Sequence, residues 1–415
     1  MRDSFKVAAA AIVVVCLALS GCTPKPASPS VTPAYPVSVA LASSPQLQAT
    51  GITIGVLAGP NNGEGSEYRM MASGASAAAF RFGLDGLTVT LKTITEDGTQ
   101  AGAANAMQEL IDAKVAGVVV ADAGPHLQDA ISAAAAANVA TLLPYDYSVK
   151  TTVPAYHTGA DPSMVAKALK TATLISGSKP VAVVQPGYES TVTWPQTVDW
   201  NGDAVAAAQA VAQMVSDGAA DELVVEASAI TQAALVSQVQ TQVGNQQLPI
   251  VLTPQALTPV FNAGLTQAGA VPVALMTVGQ DASDSVALRP DSRGDAMSAF
   301  LQSVRMAADN PSVKNVFGDA SFASASGGAD VGAHDAVVAL VRAAEKAGST
   351  DPSQVASAFV GLTVTQADGL AGETLDFGNG TALDPSAVVT LYATSQNAGL
   401  RPAGRGTFLT WVPIV

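Results

Sequence analysis

The sequence predicts an α/β protein built from two similar units, each a parallel sheet flanked by helices. Short apolar runs alternate with amphipathic helical segments over residues 52–143, and the alternation restarts at residue 180 and continues to residue 278. Strands that alternate with helices are typical of parallel sheets, because each helix carries the chain back to the start of the next strand. The length of 415 residues is enough for two domains of ordinary size.

The first unit begins with Ile52–Ala58, a compact apolar run that suits a strand buried on both faces. A helix is predicted next over Glu67–Phe82, where six apolar residues recur at helical spacing. The remaining predicted elements alternate as strand and helix: Leu87–Ile94, Gln100–Lys114, Val115–Ala121, His126–Ala137 and Val139–Leu143.

The alternation pauses around Ala155–Asp161, and a second unit of similar size follows. Its predicted elements again alternate as strand and helix: Pro180–Gln185, Val205–Asp217, Leu223–Glu226, Ile230–Val243, Pro249–Leu252, Leu257–Gln267 and Val271–Val278. This repetition of strand and helix predicts a second parallel sheet.

The carboxyl-terminal third changes in pattern. Two long helices are predicted over Gly294–Ala308 and Val331–Ala347, and Asp351-Pro352 opens a shorter one as N-cap and first helical residue. Strand-like alternation then follows at Gly372–Phe377 and Ala387–Thr394, and the sequence Gly378-Asn379-Gly380 between them predicts a hairpin.

The amino-terminal segment predicts secretion. A basic start precedes an apolar run from Val7 to Leu19, which is shorter than the ~20 residues that a membrane-spanning helix needs. Residues 1–21 therefore read as a signal peptide. The string Leu19-Ser20-Gly21-Cys22 resembles a bacterial lipoprotein cleavage site, which implies that Cys22 is lipidated and becomes the first mature residue. The alternative is an ordinary signal with an incidental cysteine. Residues 22–50, rich in Pro and Ser, predict an extended tether.

Charge and composition limit the classes of binding partner that the chain can have. The formal net charge is −14 and residues 1–21 contribute +1, so the chain from Cys22 onward carries −15. A surface of this sign repels phosphate backbones, so no nucleic-acid partner is expected. It also repels anionic lipid, so the lipid is expected to act as a tether only. Cys16 lies in the signal and Cys22 is expected to carry lipid, so no disulfide is predicted.

Three passages resemble the type I periplasmic binding proteins, most closely the branched-chain amino-acid (leucine-binding-like) lipoproteins of ABC importers. The first is ITIGVLAGPNNGEGSEYRMMASGASAAAF, and the second is LIDAKVAGVVVADAG followed by ANVATLLPY. The third is GAHDAVVALVRAAEKAGSTDPSQVASAFVGLTVTQADGLAGETLDFGNG. The resemblance implies two lobes, three hinge crossovers and a ligand held in the cleft. It assigns residues 51–158 and 283–360 to lobe 1, and residues 159–282 and 361–415 to lobe 2.

Candidate ligand-binding residues follow the predicted strands, because open α/β sheets bind ligands at the carboxyl ends of their strands. In lobe 1 the candidates form three loops: Asn62 and Gly63; Ala123, Gly124 and His126; and Tyr145, Asp146 and Tyr147. Aromatic faces beside a carboxylate suit an amine-bearing ligand, so the third loop predicts that ligand chemistry. The alternative for this loop is aromatic packing at a lobe edge.

The other two loops of lobe 1 also have simpler interpretations. Asn62 and Gly63 equally fit a plain strand-to-helix turn capped by Ser66. For His126 taken alone, a surface histidine in an N-capping loop is the slightly favoured interpretation. The binding-protein family usually has small hydroxyl residues at the position of Ala123 and Gly124, so this chain departs from that pattern.

In lobe 2 the candidates are Tyr188, Glu189, Trp194, Gln255 and Asp281. Tyr188 follows a predicted strand in a loop where the resemblance implies a ligand-contacting tyrosine. Trp194 is predicted to form a lid or to cover the following helix. Gln255 and Asp281 are placed in the cleft by topology alone.

The sequence predicts binding without catalysis. The three histidines lack metal-ligand spacing, and no nucleophile motif is present, so no metal, cofactor or enzymatic activity is predicted. The favoured function is a monomeric, lipid-anchored extracytoplasmic protein that captures a small polar ligand for an ABC transporter permease. The alternative is an envelope lipoprotein that uses this fold to sense or regulate a partner without transport.

Overall fold

The computed structural model describes residues 38–63, 65–176, 178–244, 247–378, 380–396, 398–401 and 409–413. Cys22, the predicted signal peptide and the first part of the predicted tether lie outside these residues, as does Asn379 of the predicted hairpin. Two large sheets organise the described residues. None of the helices in this part of the chain is long and apolar enough to cross a membrane.

The first sheet is parallel, with the strand order β2-β1-β3-β4-β5. Its strands are β1 Ile52–Ala58, β2 Val89–Thr95, β3 Val118–Ala121, β4 Thr141–Leu143 and β5 Ala155–His157. In β1, Ile54 and Val56 pack on one face and Leu57 on the other, because successive side chains alternate. Burial on both faces explains why this strand is a continuous apolar run.

Helices from two parts of the chain belong to the same lobe as this sheet. They are α2 Gly74–Gly83, α3 Gln100–Asp112, α4 Gln128–Ala136, α9 Ser292–Asp309, α10 Val331–Ala347 and α11 Pro352–Ala358. Helices α2 and α10 pack on one face, and α3 and α4 pack on the other. The side chain of Asp330 accepts a hydrogen bond from the backbone of Gly332 and so caps α10.

The second sheet has the strand order β14-β13-β10-β9-β8-β6-β7. Its strands are β6 Pro180–Val184, β7 Thr197–Asp199, β8 Glu222–Glu226, β9 Ile250–Leu252, β10 Leu275–Gln280, β13 Val388–Thr394 and β14 Thr410–Pro413. The strands are parallel except for β13 and β14, which join antiparallel. Helix α5 covers one face, and α6, α7 and α8 cover the other: Pro162–Ser176, Ala204–Ser216, Ala229–Val243 and Pro259–Ala268.

Three connections join the two sheets within the described residues: 158–161, 281–291 and 384–387. The predicted fold class, two α/β lobes with three crossovers, is therefore confirmed. The start assigned to the last part of lobe 2, residue 361, is wrong. Leu370, Phe377 and Leu383 belong to the apolar cluster of the first sheet, and the chain returns to the second sheet only at β13.

The predicted helix after β1, the predicted hairpin and the predicted tether differ in the structure. The helix over Glu67–Phe82 is replaced by 3₁₀ turns at Ser66–Tyr68 and Met71–Ser73, followed by α2. Tyr68 and Met71 pack beside Ala123, and such tertiary contacts override local helix preference. Helix α5 was not predicted.

The predicted hairpin is confirmed at its turn but not in its second arm. Leu375 pairs antiparallel with Leu383, and the N–H of Asp376 donates to the carbonyl oxygen of Ala382, on either side of Gly378 and Gly380. Strand β12, Leu375–Asp376, pairs with β11, Thr363–Val364, whereas β13 pairs with β10 in the other sheet. The two arms belong to different sheets because the third connection lies between them.

The predicted tether ends too late. Residues Pro45–Thr50 form helix α1, which is capped by the side chain of Ser44. Leu41 and Leu47 are buried in the apolar cluster of the first sheet. Since both side chains are removed from water, this stretch is part of the folded domain and not of an extended spacer.

Candidate ligand cleft

Loops from both sheets meet at the carboxyl edges of their strands. The direct link is the hydroxyl of Tyr147, after β4, which donates a hydrogen bond of 3.2 Å to Oε1 of Gln255, after β9. Pro125, after β3, also lies near Gly187, after β6: a Cβ on this glycine would lie 3.7 Å from Cγ of the proline. The structure thus brings loops of the two lobes into contact along a cleft.

Tyr147 holds the two lobes together through packing as well as hydrogen bonding. Its ring is buried among Val165 and Leu169 of α5 and the second sheet. Burial raises the pKa of Tyr147 well above that of a free tyrosine, so the hydroxyl stays protonated and can donate. The residue that was predicted to contact ligand therefore connects the lobes.

Two stacked tyrosines form part of the first-lobe wall. The rings of Tyr68 and Tyr145 lie 5.1 Å apart at an angle of 16°. The hydroxyl of Tyr145 donates to Oδ1 of Asp330 at 3.0 Å and accepts from the backbone N–H of Ala333 at 3.1 Å. These bonds fix Tyr145 against the start of α10. Burial and the charge of Asp330 raise the pKa of Tyr145 well above its usual range.

Asp146 does not have the predicted role. The side chain is 0% exposed. Its Oδ1 accepts from the backbone N–H groups of Ser148 and Val149, and its Oδ2 accepts from the N–H of Gly124 and the hydroxyl of Ser148. With two donors on each oxygen and no access to solvent, this carboxylate organises the loop and is not available to a ligand amine.

Glu67 is a cleft carboxylate that the sequence analysis did not identify. It lies in the 3₁₀ turn after β1 and is 1% exposed. The backbone N–H groups of Gly65 and of Ala229, at the start of α7, face the carboxylate. Within the described residues, Oε2 has no hydrogen-bond partner. Burial raises the pKa of Glu67 above that of a free glutamate, against the lowering effect of these N–H groups.

Tyr188 lies on the same cleft. It directly follows Gly187, which lies near Pro125 of the first lobe. Burial raises the pKa of Tyr68 well above its usual range, and the charges of Glu67, Tyr188 and Tyr147 raise it further. Tyr188 is half-buried. By contrast, Glu189 is exposed and its carboxylate accepts from the backbone N–H of Gly187 at 2.8 Å, so it stabilises the turn.

Trp194 forms a hydrogen bond with the buried carboxylate of Glu226. Its indole N–H donates to Oε1 of Glu226 at 2.6 Å, and the hydroxyl of Ser190 donates to the same oxygen at 2.7 Å. The backbone N–H of Ser190 donates to Oε2. Glu226 ends β8, so Trp194 fastens the 185–194 loop to the end of that strand.

The remaining candidate ligand-binding residues lie on the surface, in the first-lobe wall of the cleft or at the connections between the lobes. Asn62 and Gly63 are exposed. Ala123 packs against Tyr68 and Met71 in the first-lobe wall. Asp281 was predicted to lie in the cleft, but it lines a small cavity of about 20 Å³ at the connections between the lobes. Its oxygen Oδ1 accepts from the hydroxyl of Ser283 at 2.9 Å.

His126 lies against two carboxylates. Its Nε2 is 3.2 Å from Oδ2 of Asp122 and 3.7 Å from Oε2 of Glu96. Burial and the charge of Asp122 raise the pKa of Glu96 to about 7, and burial raises the pKa of Asp122. Burial alone would lower the pKa of His126, but the hydrogen bond and charge of Asp122 outweigh it and raise the value. This cluster was not predicted from the sequence, because Glu96 follows β2 whereas Asp122 and His126 follow β3.

The fold is similar to that of solved substrate-binding proteins. The chain is 16% identical to the branched-chain amino acid transporter substrate binding protein LivJ from Streptococcus pneumoniae, crystallised with isoleucine. The match covers 88% of this chain and 100% of that one, with a TM-score of 0.58. An ABC transporter solute binding protein from R. palustris, in complex with 4-hydroxybenzoate, is 16% identical over 88% of this chain and 96% of that one, with a TM-score of 0.59.

A third structure gives the same result. The ABC transporter substrate-binding protein from Desulfitobacterium hafniense, in complex with Leu, is 16% identical over 83% of this chain and 98% of its own, with a TM-score of 0.57. No family model and no curated protein matches the chain. The chain therefore has the type I periplasmic binding protein fold, and the resemblance inferred from its sequence is confirmed at the level of fold.

Proposed function

We propose that this protein is an extracytoplasmic solute-binding protein that captures a small ligand in the cleft and presents it to the permease of an ABC importer. The observation that carries the proposal is the meeting of strand-end loops from both lobes, where Tyr147 donates to Gln255 and Pro125 lies beside Gly187. Ligands of open α/β sheets bind at such edges. Three similar structures are substrate-binding proteins by name, which supports this reading.

The mechanism follows from the three connections between the sheets. They allow the lobes to move apart as a hinge, so that a ligand enters one wall and the second wall then covers it. Closure is favoured by the contacts that exist only when the lobes meet, such as the hydrogen bond from Tyr147 to Gln255. No covalent step and no cofactor takes part.

The chemistry of the cleft favours a ligand that carries an amine. Tyrosine faces attract cations, and the buried carboxylate of Glu67 has an oxygen without a partner among the described residues. A ligand ammonium would compensate that charge. Glu67, and not Asp146, is therefore the proposed partner of the ligand amine, because both oxygens of Asp146 already accept hydrogen bonds from the protein.

The test is a binding screen with a panel of amino acids, amines and aromatic acids. A shift in melting temperature identifies a ligand, and calorimetry then measures its affinity. A cognate ligand should raise the melting temperature because it binds the native state. Tyr188→Ala should weaken that binding by about 2 kcal/mol, whereas Tyr392→Ala, at a partly exposed tyrosine of β13, should leave it unchanged. If no member of the panel shifts the melting temperature, the regulatory alternative replaces transport.

We also propose that lipid on Cys22 attaches the protein to the cell membrane, on the basis of the Leu19-Ser20-Gly21-Cys22 string. A multiply acylated cysteine gives a strong anchor. Cys22→Ala should abolish labelling by radioactive fatty acid and release the protein from the membrane fraction. A Cys16→Ala variant is the control, and equal labelling of Cys22→Ala and the wild type would contradict the proposal.

A further inference from the structure

We propose that Glu96, Asp122 and His126 form a binding site for a divalent transition-metal cation of the zinc class. The three side chains lie at the carboxyl edge of the first sheet: Glu96 directly follows β2, Asp122 directly follows β3, and His126 lies in a 3₁₀ turn four residues later. One ligand atom from each lies within 4.8 Å of the other two. The proposal does not depend on the proposed solute transport.

The distances fit zinc coordination. Nitrogen and oxygen ligands about 2.1 Å from a tetrahedral Zn²⁺ lie about 3.4 Å from one another. The measured separations from Nε2 of His126, 3.2 Å to Asp122 and 3.7 Å to Glu96, lie on either side of that value. A set of two carboxylates and one imidazole matches the ligand types that zinc prefers.

The burial and hydrogen bonding of the acids suit a bound cation. The side chains of Glu96 and Asp122 are both 0% exposed. In the described part of the chain, His126 is the ion-pair partner of both acids, the two carboxyl groups hydrogen-bond to each other, and Oε1 of Glu96 accepts no hydrogen bond from an N–H or hydroxyl group. Two buried carboxylates facing each other are costly without a compensating positive charge. A bound cation would supply that charge and use the unpartnered oxygen.

The surrounding backbone orients these ligands. The N–H of Gly98 donates to Oε2 of Glu96 at 2.6 Å, and the N–H of Ala123 donates to Oδ1 of Asp122 at 2.7 Å. Such bonds to ligating carboxylates fix their direction. Gly124 has φ 138°, and a Cβ there would lie only 2.8 Å from Nδ1 of His126, so a glycine leaves room for the ring.

The site has one open side. The side chain of His126 is 19% exposed, whereas the two acids are enclosed. A metal held by these three groups would therefore keep a coordination position toward solvent, as zinc sites with three protein ligands do. Water or a small anion would occupy that position.

The experiment is calorimetric titration of chelator-treated, full-length protein with Zn²⁺, together with metal analysis by mass spectrometry. One Zn²⁺ per chain is expected. His126→Ala and Glu96→Gln should each weaken binding by about tenfold or more, since even loss of an outer hydrogen bond to a metal ligand costs that much. Asp129→Asn, which removes an exposed acid nearby, should bind as the wild type does.

Co²⁺ provides a second measurement that reports the ligands themselves. Its visible absorption in the wild type should indicate low coordination with nitrogen and oxygen ligands, and His126→Ala should abolish that spectrum. Circular dichroism will establish that each variant is folded, and the partly exposed His126 makes that variant the safer of the two. Absence of Zn²⁺ binding by the wild type, or equal binding by folded His126→Ala, would overturn the proposal.

Discussion

Asp146 and Glu67 are both buried carboxylates at the carboxyl edge of the first sheet, yet their surroundings differ completely. Each oxygen of Asp146 accepts two hydrogen bonds from the protein. One oxygen of Glu67 has no partner among the described residues, and its turn reaches the start of α7 in the other lobe. The difference teaches that burial of an acid does not indicate a binding role; an unmet hydrogen-bonding capacity at an interface does.

The largest expected effect is at Asp146. Asp146→Ala leaves the N–H groups of Gly124, Ser148 and Val149 without their acceptor, so the free energy of unfolding should fall by about 3 kcal/mol. Urea denaturation at pH 7 measures the change. Asp129→Asn, at an exposed acid, is the control and should change stability by less than about 0.5 kcal/mol. A loss no larger than that of the control would mean that the loop does not depend on this carboxylate.

Substitution of Glu67 is expected to change the free energy of unfolding in the opposite direction. Because its pKa is raised on folding, the native state binds this proton more tightly than the unfolded chain does. Stability is therefore lost as the pH rises from the unfolded pKa through the raised folded pKa. Glu67→Gln should remove that loss and stabilise the protein by about 1 kcal/mol at pH 8, with less difference at pH 4.

The pH dependence is measured as the difference in unfolding free energy between Glu67→Gln and the wild type. The difference cancels the contributions of other acids whose pKa is also raised, such as Asp122 and Asp330. The same variant should bind an amine-bearing ligand more weakly. A variant that is less stable than the wild type at pH 8 would show that the carboxylate is satisfied, as Asp146 is.

An effect as small as that at Glu67, but on closure and not on unfolding, is expected at Tyr147, which follows Asp146 and connects the lobes. Tyr147→Phe removes one hydrogen bond to Gln255 and should disfavour closure by about 1 kcal/mol, or about fivefold in the closed-to-open ratio. Small-angle scattering will show a larger average radius of gyration. Tyr156→Phe is the matched control, because the buried hydroxyl of Tyr156 has no partner within the described residues. Equal scattering from both variants would contradict a role of the Tyr147 hydroxyl in closure.

The sequence predicted the fold well where burial produces a clear pattern. Strand β1 is apolar throughout because helices cover both faces of its sheet, and the predicted strand bounds match the structure. Helix α5 carries the same kind of signal, with Val165, Leu169 and Ala172 on one face, but the pattern was overlooked. The course of residues 361–387 was not predictable, because which sheet buries Phe377 depends on tertiary packing with Tyr156 and Phe359.

The site was less predictable than the fold. The sequence placed Tyr147, Gln255 and Tyr188 in loops that follow strands, but it did not reveal that Tyr147 and Gln255 bond to each other. The role of Asp146 depends on the N–H of Gly124, 22 residues earlier in the chain. Glu67 lies in a segment whose apolar spacing predicts a helix, and that interpretation hid its place in the cleft.

The most direct test of the central claim is mass spectrometry of small molecules released when the purified protein is denatured. We expect the wild type to release one small amine-bearing molecule, and folded Glu67→Gln and Tyr188→Ala to release much less of it. A wild type that releases no small molecule, or variants that release as much as the wild type, would contradict the claim that the cleft binds a solute through these residues.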